Sequence, residues 1–526
     1  MYKKIIIGAG LGGLIHGILH KMARPDDEVV IYDGNRIPGG FCTAFKKHTT
    51  YQNEKITYTV NIPLITSDFQ PGDPLANLLD YMGVKNLNWK VIDNLFEYYP
   101  LNEEPFVLRG KDPESLANLA SSPKEKANVM KFFSMMKKFY NDLMEKCHLF
   151  PNPIEAIGML CRTPSAIIRI LTDGTYLKTI DKIGIKTQTI REILCAAEAF
   201  LGVEADLVSS AAELSMIQSF LQNTSLQPTD GDTFQTLSDN LAERFKELGG
   251  KLELQTRVKK VTFQGKKATG VIIGNENISA DSVVIATAQD VIAPLIEDGA
   301  YISSIKKRLK KIEKLPPPNS DYYSYFLIDK KAIEEKPELL NTAYHIYKLP
   351  ENNEIDNWKL PVWVPNELIN DKYYVLTMVI TEKDQNKIDE WVKLRDTNLQ
   401  KYTEEKEKMA WKFIKTLQDV EPLFVKYPPL KHLMTMSPAS YNPYGSKYPL
   451  SGLAPVPENF LLNRMTPVIL DNLFLSGNSN FCCGVWGAMA GAWQSFVCAY
   501  EKEFGIKIGN HDILYKSTLK NLPTKK

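Results

Sequence analysis

Cysteine and histidine are scarce, at seven each among 526 residues. The cysteines are Cys42, Cys147, Cys161, Cys195, Cys482, Cys483 and Cys498, an odd number with no C-x-x-C pair and with Cys482 and Cys483 adjacent. That excludes the spacing of a zinc knuckle or a dithiol redox loop, and no metal site is expected. A sparse, unpaired set fits a reducing compartment, so the cytoplasm is the expected location. An excess of one charge is also missing: 63 basic residues meet 62 acidic ones, for a net charge of +1. No overall field for nucleic acid results. No apolar run reaches the roughly 20 residues that a membrane-spanning helix needs. No signal peptide is expected, because apolar Ile5–Ile7 run straight into glycines. What is present is 44% hydrophobic and 24% charged, the balance of a globular protein long enough for two or more domains.

The first forty residues carry the sharpest pattern. Lys3–Ile7 is a β-prone apolar run, Gly8–Gly13 breaks it, and Leu14–Met22 places apolar residues on one helical face. Glu28–Tyr32 is a second apolar strand that ends at Asp33. Gly8-Ala9-Gly10-Leu11-Gly12-Gly13 is therefore a G-x-G-x-x-G loop between strand and helix. Gly8 permits the turn, Gly10 removes a side chain where a diphosphate approaches, and Gly13 lets the helix pack on the strand. The helix start, with Leu11 and Gly12, offers N–H groups and a positive dipole to phosphate. Asp33 follows Gly13 by 20 residues, where a carboxylate accepts hydrogen bonds from ribose and disfavours a 2′-phosphate. A structural glycine turn with a surface Asp is the alternative. NAD stays open on the fingerprint alone. Gly39 and Gly40, after Gly34 and before Phe41, favour FAD, because two glycines clear a path for its pyrophosphate and ribityl chain.

This extension resembles the FAD signature of the amine oxidase and phytoene desaturase superfamily. Gln235–Gly250, Val258–Val261, Ala268–Val271 and Ala280–Ala286 resemble the family's second FAD segment, which implies that the Val258 backbone pairs with adenine. Asn472–Asn478 and Gly484–Met489 resemble its C-terminal FAD motif. That likeness implies Gly477, Asn478, Gly484, Val485, Trp486, Gly487 and Ala488 at the cofactor, with helix N–H groups near Gly487 on the flavin N1–C2=O edge. A small-residue helix packed in a core is the alternative. Asn478 stands where the family has Asp, and Tyr58–Pro63 carries Asn61 for Asp and Pro63 for Gly. Asp73–Trp89, Phe200–Val203 and Tyr444–Pro467 are most similar to the branch of phytoene desaturases, carotenoid isomerases and retinol saturase. The resemblance is weakest across Pro151–Lys186 and Lys330–Asp371.

The resemblance implies an α/β fold in two parts. Residues 1–65, 225–300 and 460–505 would form a discontinuous, Rossmann-like FAD domain. Residues 66–224 and 301–459 would form a substrate domain of mixed sheet and helices, with 506–526 as a tail. The implied activity is FAD-dependent desaturation, saturation or isomerisation of an apolar, isoprenoid- or carotenoid-like substrate. Electrons would be exchanged with quinone, oxygen or a separate reductase. Two alternatives share the fold. An amine or amino-acid oxidase needs an arginine or acidic anchor facing the flavin. A non-enzymatic prenyl-binding protein of the Rab GDP-dissociation inhibitor kind has eroded nucleotide motifs.

Catalytic candidates are Trp486, inside the C-terminal motif, and His345, among strand aromatics in Tyr344–Tyr347. A satisfied core histidine is the alternative for His345. Tyr322, Tyr323, Tyr325 and Phe326 read as an apolar tunnel wall or as ordinary sheet packing. Pro74–Phe220 reads as mostly helical, Pro316–Pro318 as a linker, and Asp384–Leu417 as one charged helix. Pro153–Leu160 and Pro164–Leu171, with Arg162 and Arg169, suit peripheral contact with a bilayer or burial in a core. Lys516–Lys526 reads as a solvated basic tail.

Overall fold

The structure, a computed structural model, describes residues 2–62, 65–92, 94–101, 103–109, 112–146, 174–196, 201–223, 225–314, 316–448, 452, 454–458 and 466–506. The segment proposed for bilayer contact and the basic tail lie outside the described residues.

Lys3–Ile7 is an inner strand of a six-stranded sheet. It pairs in parallel with Glu28–Tyr32 on one side and Ser282–Ile285 on the other. Leu473–Leu475 continues the sheet in parallel beyond Ser282–Ile285. Lys251–Glu253 and the antiparallel Val468–Leu470 form its edges. Alternation sorts the side chains between two cores. Ile6, Val284 and Phe474 face the helices Leu11–Ala23, Phe234–Glu247 and Gly484–Phe504. Ile5, Ile7, Val283 and Ile285 face the small antiparallel sheet 258–279 and the helices Gln289–Ile296 and Ser303–Ile312. Coverage of both faces explains why these strands read as unbroken apolar runs.

The second sheet has seven strands, in the order 431–436, 320–329, 373–382, 359–363, 342–348, 94–99 and 106–109. Along Ser320–Asp329, Tyr322, Phe326 and Ile328 pack towards the helices Gln385–Thr397 and Leu399–Val420. Tyr323, Tyr325 and Leu327 face the opposite core, with helices Pro123–Lys146, Tyr176–Ile183, Gln188–Cys195 and Ser210–Asn223.

Two expectations change. The stretch read as mostly helical also holds three strands, Trp89–Ile92, Asn94–Tyr99 and Phe106–Arg109. The single charged helix is two, broken at Asn398, whose backbone leaves the helical conformation and whose side chain caps the second by accepting from the Lys401 N–H at 3.0 Å. Among the described residues no helix is long and apolar enough to cross a membrane.

Candidate active site

A cavity of about 430 Å³ is lined by residues from both sheets. Its first part is built by the glycine loop. Gly8, Gly10, Leu11, Gly12, Asp33, Gly34, Gly39, Gly40 and Phe41 line it, together with Val258 and Ala286–Ala288. The helix of the loop starts at Leu11, earlier than its apolar periodicity indicates. Gly13 does not line the cavity. A Cβ there would stand 2.0 Å from the Gly8 carbonyl oxygen, so the close approach of helix to strand requires glycine. Gly10 differs: the nearest protein atom to its added Cβ is the Gly39 oxygen at 3.8 Å, so the space is cavity rather than protein. Gly39 is fixed by packing, because a Cβ would meet the Cys42 carbonyl and the Ser238 hydroxyl, both at 2.6 Å. Ser238 Oγ donates to that same carbonyl at 2.6 Å, which ties the helix Phe234–Glu247 to the loop.

Asp33 ends the second strand with its carboxylate at the cavity wall. Oδ2 accepts from the Ala9 N–H and Oδ1 from the Asn35 N–H, each at 2.7 Å. Each oxygen keeps a lone pair for a ligand. Arg257 also lines this part, beside Gly34, and donates to the Pro443 carbonyl at 3.1 Å. It is the one cationic side chain on the cavity wall among the described residues.

The long C-terminal helix begins at Gly484, with Cys483 as N-cap and no side-chain cap. Its first-turn N–H groups therefore belong to Gly484, Val485 and Trp486, which line the cavity with Gly477, Asn478 and Ala488. The N–H groups expected near Gly487 lie one turn earlier. Gly487 is buried against the Cys482 carbonyl, which a Cβ would approach to 2.0 Å. Asn478 donates from Nδ2 to the Gly484 carbonyl at 3.3 Å and so braces this helix start. Trp486 packs its ring against Phe481, centroids 5.5 Å apart. Cys482 and Cys483 also line the wall as thiols, burial raising the Cys483 group to about 12.

The other part of the cavity is floored by one face of the seven-stranded sheet through Asp321, Tyr323, Tyr344, Ile346, Pro361 and Val379. Tyr322, Tyr325 and Phe326 are not on this wall: Tyr322 and Phe326 face the opposite core, and Tyr325 donates to the Asn61 carbonyl at 3.0 Å. Asn61 itself does not line the cavity, whereas its neighbour Ile62 does. His345 is a correction. Alternation sends Tyr344 and Ile346 to the cavity and His345 to the opposite face, where Nδ1 lies 3.3 Å from Tyr99 Oη and 3.3 Å from Glu97 Oε2.

Two acids enter the site that sequence patterns do not single out. Asp321 is 3% exposed, and burial pushes its carboxyl up to about 7 against a hydrogen bond from Thr381 on the paired strand. Tyr323, Tyr344 and Tyr441 are its titratable neighbours; burial raises each phenol, the Asp321 charge coming next for Tyr323 and Tyr344 and after Tyr323 for Tyr441. Asp68 also lines the cavity, on the chain between strand Glu54–Asn61 and helix Pro74–Met82. Its Oδ2 accepts from Ser67 Oγ at 2.5 Å and Ser219 Oγ at 2.9 Å.

A parallel sheet with a glycine loop, an acidic strand end and a second helix terminus on the same cavity defines a Rossmann-like, dinucleotide-dependent oxidoreductase. The sequence model of flavin-containing amine oxidoreductases matches residues 182–495, more than half of the chain, and the protein belongs to that family. Its cofactor is FAD. The residues fit the group: Gly10 leaves open the space a Cβ would fill, and the carboxylate and two helix starts meet one cavity. Similar solved structures include an oxidoreductase from Methanosarcina mazei at 16% identity, covering 93% of this chain and 98% of that one, with a TM-score of 0.58. Wild-type putrescine oxidase bound to putrescine is 12% identical, covers 94% and 98%, and has a TM-score of 0.60. Cyclohexylamine oxidase from Brevibacterium oxydans is 14% identical, covers 95% and 99%, and has a TM-score of 0.60. At such identities the likeness establishes the fold. No curated protein matches the sequence. The family assignment stops at the superfamily and does not select the phytoene desaturase branch.

Proposed function

We propose that the protein is an FAD-dependent oxidoreductase of amines. The observation that carries this reading is Asp321, a buried carboxylate on the sheet floor of the cavity between Tyr323 and Tyr344. A purely apolar polyene gives such a group no partner beyond Thr381 and no counter-charge, and burying an ionised acid on those terms is unfavourable. An amino acid would need a cation for its carboxylate, and Arg257 stands at the glycine-loop end, beside Gly34. A protonated amine satisfies Asp321 directly. Bound FAD supplies a two-electron acceptor for the hydride lost from the carbon next to nitrogen. Asp321 orients the nitrogen and takes one proton from the ammonium, so that the neutral amine is the form that loses the hydride and becomes the iminium, and Tyr323, Tyr344 and Ile346 exclude water from it. The imine left behind is hydrolysed by water, and the electrons pass on to oxygen, a quinone or a separate reductase.

In the same reading Asp33 binds the ribose, and the start of helix Leu11–Ala23 binds the diphosphate. Gly39, Gly40 and Phe41 flank the ribityl chain, Val258 meets the adenine, and Gly484–Trp486 present N–H groups to the flavin. The isoprenoid reading has the apolar walls in its favour, including Ile62, Ile65, Met216 and Phe220. One experiment separates the two: anaerobic mixing of the flavin-loaded protein with an amine panel, followed by absorption. Bleaching of the flavin by amines is expected. A flavin that no amine reduces, in protein that co-purifies with a polyene, removes the amine reading.

A further inference from the structure

We propose that the proton Asp321 takes from the amine leaves the site through Thr381 and a second, water-sized cavity. This rests on the amine reading. In that reading the substrate fills the large cavity and water is kept from its nitrogen, so the proton cannot return by the way the substrate came. The titratable neighbours Tyr323, Tyr344 and Tyr441 are phenols that burial keeps protonated, and none of them accepts it. Thr381 stands opposite Asp321 on the paired strand Tyr373–Glu382 and is hydrogen-bonded to its carboxylate. The same threonine lines a second cavity of about 20 Å³, and Pro361 lines both cavities. That space holds a single water and is too small for an amine. Glu204, Asn319 and Asn357 on its wall give the water polar partners. Glu204 and Lys383, also on the wall, form an ion pair whose side chains are both partly exposed, so the cavity ends at bulk solvent. The transfer leaves no charge on the threonine: the Asp321 carboxyl donates to Thr381 Oγ as the threonine hydroxyl passes its own proton to the water. The carboxylate regenerated in this way pairs with the iminium that replaces the amine. Thr381 is thus a positioning residue and a proton relay for Asp321.

The test uses the full-length, flavin-loaded protein, mixed anaerobically with an amine in weakly buffered solution containing a pH-indicator dye. At about pH 8 Asp321 starts ionised, and the ammonium has one proton to give up for each flavin bleached. Bleaching and acidification of the medium are followed together. In the unaltered protein the proton is expected to appear as fast as the flavin bleaches, before product departs. Thr381→Val removes the hydroxyl, and Val203→Ile puts a further carbon into the second cavity, whose wall Val203 forms. In both, the flavin still bleaches, but the fast phase of proton release is lost and the proton appears only as product leaves. Thr381→Ser, which keeps the hydroxyl, restores the fast phase. Proton release that lags bleaching in the unaltered protein overturns the inference and leaves the amine reading standing. So does release that keeps pace with bleaching in either variant. Failure of every amine to bleach the flavin overturns both. Where Thr381→Val does not fold, the unaltered protein and Val203→Ile decide.

Discussion

A single carboxyl group makes the chemistry testable. Burial raises Asp321 from 3.8 to about 7, so the folded protein keeps a proton that the unfolded chain has already released. Stability is therefore lost as pH rises between those two values. Asp321→Asn removes that cost. It is expected to stabilise the protein by up to about 4 kcal/mol at pH 8 and by under about 1 kcal/mol at pH 4, read as a difference in Tm at the two pH values. The same titration governs binding with the opposite sense. Only the ionised group pairs with an ammonium, so kcat/KM for an amine rises through about pH 7 in the unaltered protein. In Asp321→Asn that rise is absent, and KM increases roughly 10–100-fold. A pH profile that rises identically in the variant would assign the titration elsewhere. At the other end of the cavity, Gly13→Ala puts a methyl group 2.0 Å from the Gly8 oxygen and must push helix from strand. Loss of co-purified flavin together with a lowered Tm is the expected result.

The elements differ in how openly the sequence announces them. Lys3–Ile7 and Glu28–Tyr32 are legible because a strand covered on both faces is apolar throughout and is bounded here by glycine and aspartate. Asn94–Tyr99 is not, because its parallel partner is Thr342–Lys348, far along the chain, and six alternating residues resemble a helical face. The cofactor end of the cavity follows from local spacing, since its loop, strand and helix are consecutive. The two acids of the other end do not. Asp321 is visible only as a polar interruption in an aromatic strand. Asp68 is held at the site by Ser219, 151 residues away. A helix that appears remote from the cavity also serves it. Thr233 caps Phe234–Glu247 in a reciprocal box with Thr236, and this helix presents Ser238 to the loop at Gly39 and Cys42. Thr233→Ala is expected to cost about 1 kcal/mol in denaturant unfolding and to speed flavin loss, because the cap holds the whole element in place.

Across the molecule, the first strand and the last helix are joined through the interior. Lys4 Nζ meets Glu503 Oε2 at 2.8 Å, with the two side chains 0% and 2% exposed. Breaking such a pair from one side strands a charge, so Glu503→Ala is expected to destabilise by about 3–5 kcal/mol. Replacing both, as Lys4→Met with Glu503→Leu, is expected to leave Tm close to that of the unaltered protein or above it. A double variant as unstable as the single one would mean that the pair supplies stability rather than merely balancing itself.

The order of the parallel sheet reaches further still. Leu473–Leu475 pairs with Ser282–Ile285, which pairs with Lys3–Ile7, so the sheet that frames the glycine loop is incomplete until Leu473–Leu475 has been made. During synthesis the loop emerges long before Ser282–Ile285 and then waits, the strand on that side of Lys3–Ile7 unmade. Contacts of such separation close late and slowly. Acquisition of the flavin therefore waits for Leu473–Leu475 and the helix Gly484–Phe504, and a chain interrupted before that helix leaves the ribosome unable to keep it.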